Sequence, residues 1–241
     1  MKIATSFFYC LVLAAICTPL HAQETISSPY AEVKGSIVIS EFHTLDKPSS
    51  AEAIFINALL WSIENREPEN RESQEEKSTI DIDYDKKQYL LESVLTNPRS
   101  ASRYRYLLLV KVVDNIITIL ASDITYEAET SVIKLVKRLV FEKLQPEKKP
   151  KHKEHLNEFA TLYKERIKQL LEAITTNSVP TITHWAEIKS KDVVKGMNKS
   201  ECLLAFGKPA SVQKQGIKEE WMYDSYTYLF FENEIVVSLI K

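Results

Sequence analysis

His152 and His155, three residues apart with Glu154 between them, are the first candidates for chemistry in this sequence. Such spacing can place two imidazoles on one helix face, as a metal site requires. A third ligand is missing nearby, and lysines at 148, 149, 151 and 153 set positive charge against a cation. The pair therefore reads as solvated surface. Asp81, Asp83 and Asp85 have the D-x-D-x-D spacing of a calcium loop, but such a loop needs a glycine at its sixth position. Lys86 stands there. Alternation on the wet face of a strand accounts for the three acids better. Cys202 is the one cysteine outside the first 17 residues. It falls on the apolar side of a predicted helix with no histidine close in sequence, whereas a nucleophilic thiol needs an electropositive, partly open setting. His43 and His184 are isolated. Neighbouring carboxylates such as Glu219 and Glu220 cannot share a strand face, because successive side chains point opposite ways. The sequence holds no G-x-S-x-G, no glycine-rich phosphate loop (four glycines in all) and no H-E-x-x-H. It is read as non-enzymatic, with no cofactor and no metal.

Aromatic residues are what remain. Six of them fall between 221 and 231. Strand alternation puts Trp221 and Tyr223 on one face and Tyr226, Tyr228 and Phe230 on the other. One face is expected to pack on a helix. The surplus points to an exposed sheet face that takes a protein partner, because tyrosine and tryptophan suit interfaces. Trp221, Tyr223, Tyr226 and Tyr228 are the candidate binding residues.

The elements that would position them are legible in part. Asn198 can cap a helix with Glu201 closing a capping box. Cys202, Leu203 and Phe206 share one face of that helix. Gly207 suits its left-handed end and Pro209 forbids continuation. Upstream, strands are expected over Ile37–Phe42, 79–85, Tyr89–Leu95, Arg103–Val113 and Ile116–Tyr126, with a two-residue hairpin at Asp114-Asn115. Ser49 and Glu52 suggest a second capping box, opening a helix that runs to about Glu64. Trp61 lies on that helix at core spacing. Residues 65–78 form a charged loop. Residues 132–144 fit helical spacing, but their composition favours strand. From Leu156 to Ile174 apolar residues recur at i, i+3, i+4 and i+7, the signature of a long amphipathic helix.

The first residues have the form of a secretory leader: Lys2, an apolar run over Phe7–Ile16, and Leu20-His21-Ala22 at the exit. Cleavage is expected after Ala22. Ile16 stands where a lipobox wants Gly, Ala or Ser, so Cys17 is not expected to carry lipid. The apolar run is shorter than the roughly 20 residues that span a bilayer. Charge is nearly balanced, 31 basic against 33 acidic residues, which gives no footprint for nucleic acid.

Two stretches resemble known families. KGMNKSECLLAFGKP, EEWMY and YLFFENEIVVSLI look like the SmpA/OmlA (BamE-like) envelope module, over about residues 185–241. That family places glycine after its turn asparagine, and here Asn233 is followed by Glu234, so a different or strained turn is expected. GSIVISEF, RYRYLLLVKVVDN and KEHLNEFATLYKERIKQLLEAI resemble a secreted bacterial domain of unknown function with a TATA-binding-protein-like fold, over about residues 35–176. The expected class is α+β: two small domains, each an antiparallel sheet packed against helices on one face. The expected boundaries are a leader at 1–22, a tether at 23–34, a first domain at 35–176, a linker at 177–184 and a second domain at 185–241. The resemblances imply an exported periplasmic or outer-membrane-associated protein. It would bind another envelope protein in outer-membrane assembly or maintenance, in peripheral contact with that membrane. The alternative is a carrier of a small ligand or lipid held between the long helix and the sheet.

Overall fold

The computed structural model describes residues 31–33, 36–45, 50–66, 80–133 and 136–241. The expected leader and most of the tether and of the charged loop lie outside these residues. Eleven strands among them form two antiparallel sheets. In the first, β1 (Ala31–Val33), β2 (Ser36–Thr44), β6 (Ile116–Ile133), β5 (Arg103–Val113), β4 (Gln88–Thr96) and β3 (Ile80–Asp83) lie side by side in that order. β7 (Val136–Lys143) pairs with the far half of β6. Residues 136–143 are thus a strand, as their β-branched composition favours over their helical spacing. Val113 pairs with Ile116, so Asp114-Asn115 closes a two-residue hairpin.

Helices α1 (Ala51–Glu64) and α2 (Pro150–Thr176) cover one face of this sheet. Ser50, one residue after the expected Ser49, caps α1 by accepting from Ala53 N at 3.1 Å. Glu52 therefore falls too early to close a capping box. Pro150 opens α2 at a position where its missing N–H has no helical partner to lose. Inward residues of alternate strand positions meet the helices. Tyr104 and Tyr106 of β5 pack edge-on against Phe159, and Tyr106 against Tyr163. Tyr89 of β4 bonds Ala58 O and Ser62 Oγ of α1. These aromatic side chains fill the space between α2 and the sheet.

The second sheet has the order β11 (Ile235–Ile240), β10 (Tyr228–Glu232), β9 (Lys218–Met222), β8 (Ser211–Gln215). β8 was not apparent in the sequence because SVQKQ carries a single apolar residue. Short helix α3 (Trp185–Lys189) and α4 (Lys199–Phe206) precede it. The two sheets share one continuous buried cluster that includes Ile54, Tyr104, Phe159, Leu203, Trp221 and Val236. Tyr84 sits at the junction, in the β3–β4 turn rather than at the end of the expected strand. Its ring meets Phe55 of α1 and Trp185 of α3 edge-on, and its hydroxyl donates to Leu204 O of α4 at 3.0 Å. Lys189 reaches Asp85, and Lys208 donates to Glu64 O. Nearly every residue of α1 from Ile54 to Ile63 is buried, because α1 touches α2 on one side and α4 on another.

The β10–β11 turn keeps two residues. Asn233 (φ 50°) and Glu234 (φ 67°) both adopt positive φ, as a type I′ turn requires. Of the different or strained turn expected there, the strained one forms: Glu234 is forced into the left-handed region, which costs about 1–2 kcal/mol for a non-glycine residue. Its contact with Lys199 is long, at 3.5 Å, and exposed, so it offsets little. Glu234→Gly is expected to stabilise the protein by about 1 kcal/mol in a urea titration. An unchanged or lower midpoint would show that the turn is unstrained.

Candidate functional site

The groups that could do chemistry are held by the fold. Asn198 Oδ1 accepts from Glu201 N, and Glu201 Oε2 accepts from Asn198 N at 2.8 Å, so the capping box is complete. Glu201 does more. Its side chain is 1% exposed, and Oε1 accepts from Thr183 N at 2.6 Å, His184 N at 3.0 Å and the Thr183 hydroxyl. His184 Nδ1 lies 3.1 Å from both oxygens. Burial alone would raise the carboxyl pKa. The N–H groups of Thr183, Asn198 and His184 outweigh it and hold the pKa below the ordinary value. One carboxylate thereby fastens residues 181–184 to the start of α4, together with a bond from Asn198 Nδ2 to Thr181 O.

Cys202 is fully buried, and burial, with the Glu201 carboxylate beside it, pushes its thiol up to about 12. Such a thiol is packing material rather than a nucleophile. Asp83 accepts from Lys86 N and Nζ, and Asp85 pairs with Lys189. Glu219 turns inward to Lys199 at 2.6 Å and to Trp221 Nε1. Among the described residues no group of three or more His, Cys, Asp or Glu is placed to hold a metal ion.

The histidine pair is not solvated surface. His152 is 3% exposed. It lies edge-on to Tyr126 of β6, and His155 stacks flat on the same ring at 4.4 Å. The lysines around it are outside, but the helix turns both imidazoles toward the sheet.

Of the four candidate binding residues, Trp221 and Tyr223 point into the core. Trp221 is 5% exposed and packs on Phe231. Tyr223 meets Phe206 of α4 edge-on and donates to Gly207 O. Strand alternation aims both at the helix side, so neither presents a face to a partner. Tyr226 is not on the strand with Tyr228. Asp224 accepts from the N–H groups of Tyr226 and Thr227 and from the Thr227 hydroxyl, which makes residues 223–227 a loop. Asp224-Ser225 is the turn signal that was passed over. Tyr226 stands at the tip of that loop, 78% exposed.

Register defines what lies on the outer face. Met222 pairs with Tyr228, which pairs with Ile240, and Glu220 pairs with Phe230, which pairs with Ser238. Leu229, Phe231 and Val236 are buried on the core side. Met222, Tyr228 and Phe230 remain half-buried and Ile240 is 54% exposed. A β-bulge after Phe230 leaves Val237 exposed beside them. Sequence reasoning missed Met222 and Ile240, which period-two counting across the three strands would have found. The arrangement is an apolar and aromatic row, with Tyr226 at one end and Lys218 and Glu232 at the other. It can bury against another surface.

No protein-family model and no curated protein matches the chain. Among solved structures, a TBP-like protein from Parabacteroides distasonis ATCC 8503 is similar over 63% of this chain and 100% of its own, with 16% identity and a TM-score of 0.48. A DUF4468 family protein from Bacteroides ovatus ATCC 8483 is similar over 47% of this chain and 66% of its own, with 18% identity and a TM-score of 0.30.

Replacing Glu201 by Gln should cost about 1.5–3 kcal/mol at pH 7, because an amide NH₂ then faces backbone N–H donors. The folded carboxyl has the lower pKa, so its contribution is present above the unfolded value of about 4.3 and is lost as pH falls below it. The stability gap between wild type and variant, read by denaturant titration, should therefore shrink from pH 7 to pH 3. A gap that is constant with pH would contradict the network.

Proposed function

We propose that the protein is a non-enzymatic, exported component of the bacterial envelope that binds another envelope protein through the outer face of its second sheet. One observation carries the reading: Met222, Tyr228, Phe230 and Ile240 form an apolar face outside the core, with Tyr226 projecting at its end. Aromatic residues of this kind bury large area at low entropic cost, as binding hot spots do. The leader-like start of the sequence supports export. The resemblance of residues 185–241 to the SmpA/OmlA module supports a role in outer-membrane assembly or maintenance. Within that stretch the capped helix ends at Gly207, whose φ of 79° and ψ of −161° are open to glycine almost alone.

A photo-crosslinking residue at Tyr228 or Tyr226, expressed in the native bacterium, is expected to give one discrete adduct with an envelope protein. The same residue at Gln213, on the polar side of the face, should give little of it. Tyr226→Ala should abolish capture from position 228 without lowering the melting temperature, since its side chain is exposed. Equal adducts at Gln213, or undiminished capture in Tyr226→Ala, would overturn the assignment of this face.

A further inference from the structure

We propose, on the reading that the outer face of the second sheet binds an envelope protein, that the partner presents to it one short amphipathic helix with a basic margin, lying along β10. The apolar row stands on the face of the sheet rather than at an edge. The β11 edge is already used, since Gly196 N donates to Val236 O and Val236 N donates to Met197 O. At the other edge, the one apolar residue of β8 is Val212, which pairs with Trp221 and so belongs to the opposite side. A strand added at either edge would leave the row uncovered. A chain that covers the face itself finds no backbone partners there, so its own N–H and C=O groups must pair internally. A helix does this within one segment.

The dimensions suit a helix. Met222, Tyr228 and Ile240 stand in one row across three neighbouring strands. At a strand spacing of about 4.8 Å the row is about 10 Å wide, the diameter of one helix. The stretch from Tyr226 to Glu232 spans at most about 20 Å at about 3.3 Å per residue, which matches a helix of about 13 residues. A second copy of the chain packed through this face alone would bury well under the roughly 1,200 Å² of a stable dimer. One helix of a larger partner fills it.

Charge sets the margin. Glu220 pairs with Phe230 from β9, and Glu232 follows Phe230 on the same side of β10. Both are half-buried, and among the described residues neither makes a hydrogen bond or an ion pair. Glu234 in the turn adds an exposed carboxylate whose contact with Lys199 is long. Lys218, across from Glu232 in register, is the cation on this side. Beside β11 stand Lys195, exposed next to Gly196, and Lys241, which is committed to Asp192. Carboxylates thus predominate along β9 and at the β10–β11 turn. Lysine or arginine on the facing margin of a helix would complement them, whereas an anionic membrane surface would be repelled.

Two synthetic amphipathic peptides of about 14 residues test this against the purified intact protein. One has leucine on its apolar side and lysine along its margins; the other has glutamate in place of lysine. The lysine peptide should become helical on binding, by circular dichroism, and should shift the NMR signals of Met222, Tyr228, Phe230 and Ile240 but not of Val212. Glu220→Lys combined with Glu232→Lys should weaken it about tenfold and reverse the preference in favour of the glutamate peptide. That gain of binding also shows that the variant is folded. Vesicles of phosphatidylethanolamine and phosphatidylglycerol should leave the same signals unchanged, and the free protein should sediment as a monomer. A lysine peptide that fails to bind, binds elsewhere or binds the double variant equally well would overturn the proposal. So would vesicles that shift the Tyr228 row, or a dimer closed through it. Photo-crosslinking from position 228 separates this failure from that of the reading beneath it. A discrete envelope-protein adduct without peptide binding would remove the helix alone, and the absence of any adduct would remove the face as a binding surface.

Discussion

The constraint on which the remainder depends is the apolar junction around Tyr84. Phe55 of α1, Trp185 of α3 and the backbone of α4 converge on that one ring. Because α4 lies between α1 and the second sheet, its buried residues Leu203 and Leu204 belong to the same core as α1 and β5. Full burial of such side chains stabilises by about 1.5–3 kcal/mol each. The inner face of the second sheet is committed to this core through Trp221, Leu229, Phe231 and Val236. What the sheet has left to present is its outer face. Position in the fold, rather than any special chemistry, selects that surface.

Polar groups in the interior serve the same end. Glu201 would be costly as an isolated buried charge, yet five N–H and O–H donors surround it. It fixes where residues 181–184 meet α4. Glu158 does the corresponding work where α2 meets β5, accepting from Ser100, Tyr104 and Asn97. Both carboxyls are held below their ordinary range by these donors, against the opposing effect of burial. Their role is attachment, and neither is left with a bare oxygen aimed at a cleft.

Much of the architecture was legible in the sequence, for identifiable reasons. Helix α4 has its boundaries written in side chains, Asn198 and Glu201 at one end and Gly207 at the other, and it spans the residues expected. The strand over Arg103–Val113 and the Asp114-Asn115 hairpin follow from β-branched content and turn chemistry. Where local signals were weak, tertiary packing decided. Ser49 and Ser50 are equivalent as letters, and only the docking of α1 chooses between them. His152 looked solvated because lysines flank it in sequence, but a helix separates neighbours by about 100° of rotation, so a buried ring can sit among exposed ammonium groups. The outer face proposed for binding was half legible. Alternation found Tyr228; it could not show that Asp224 folds Tyr226 into a loop, nor that α4 would take the Trp221 and Tyr223 side.

The central claim is that the outer face of the second sheet is free in the isolated protein and covered in its cellular setting, while the remaining aromatic residues are structural. Hydroxyl-radical footprinting of the purified protein and of the same protein in intact envelope measures this directly. The account predicts strong labelling of Tyr226, Tyr228 and Phe230 in the purified protein and marked protection of all three in the envelope. Trp221, Tyr104 and Tyr163 should be weakly labelled in both. Equal labelling of Tyr226, Tyr228 and Phe230 in the two settings would contradict it.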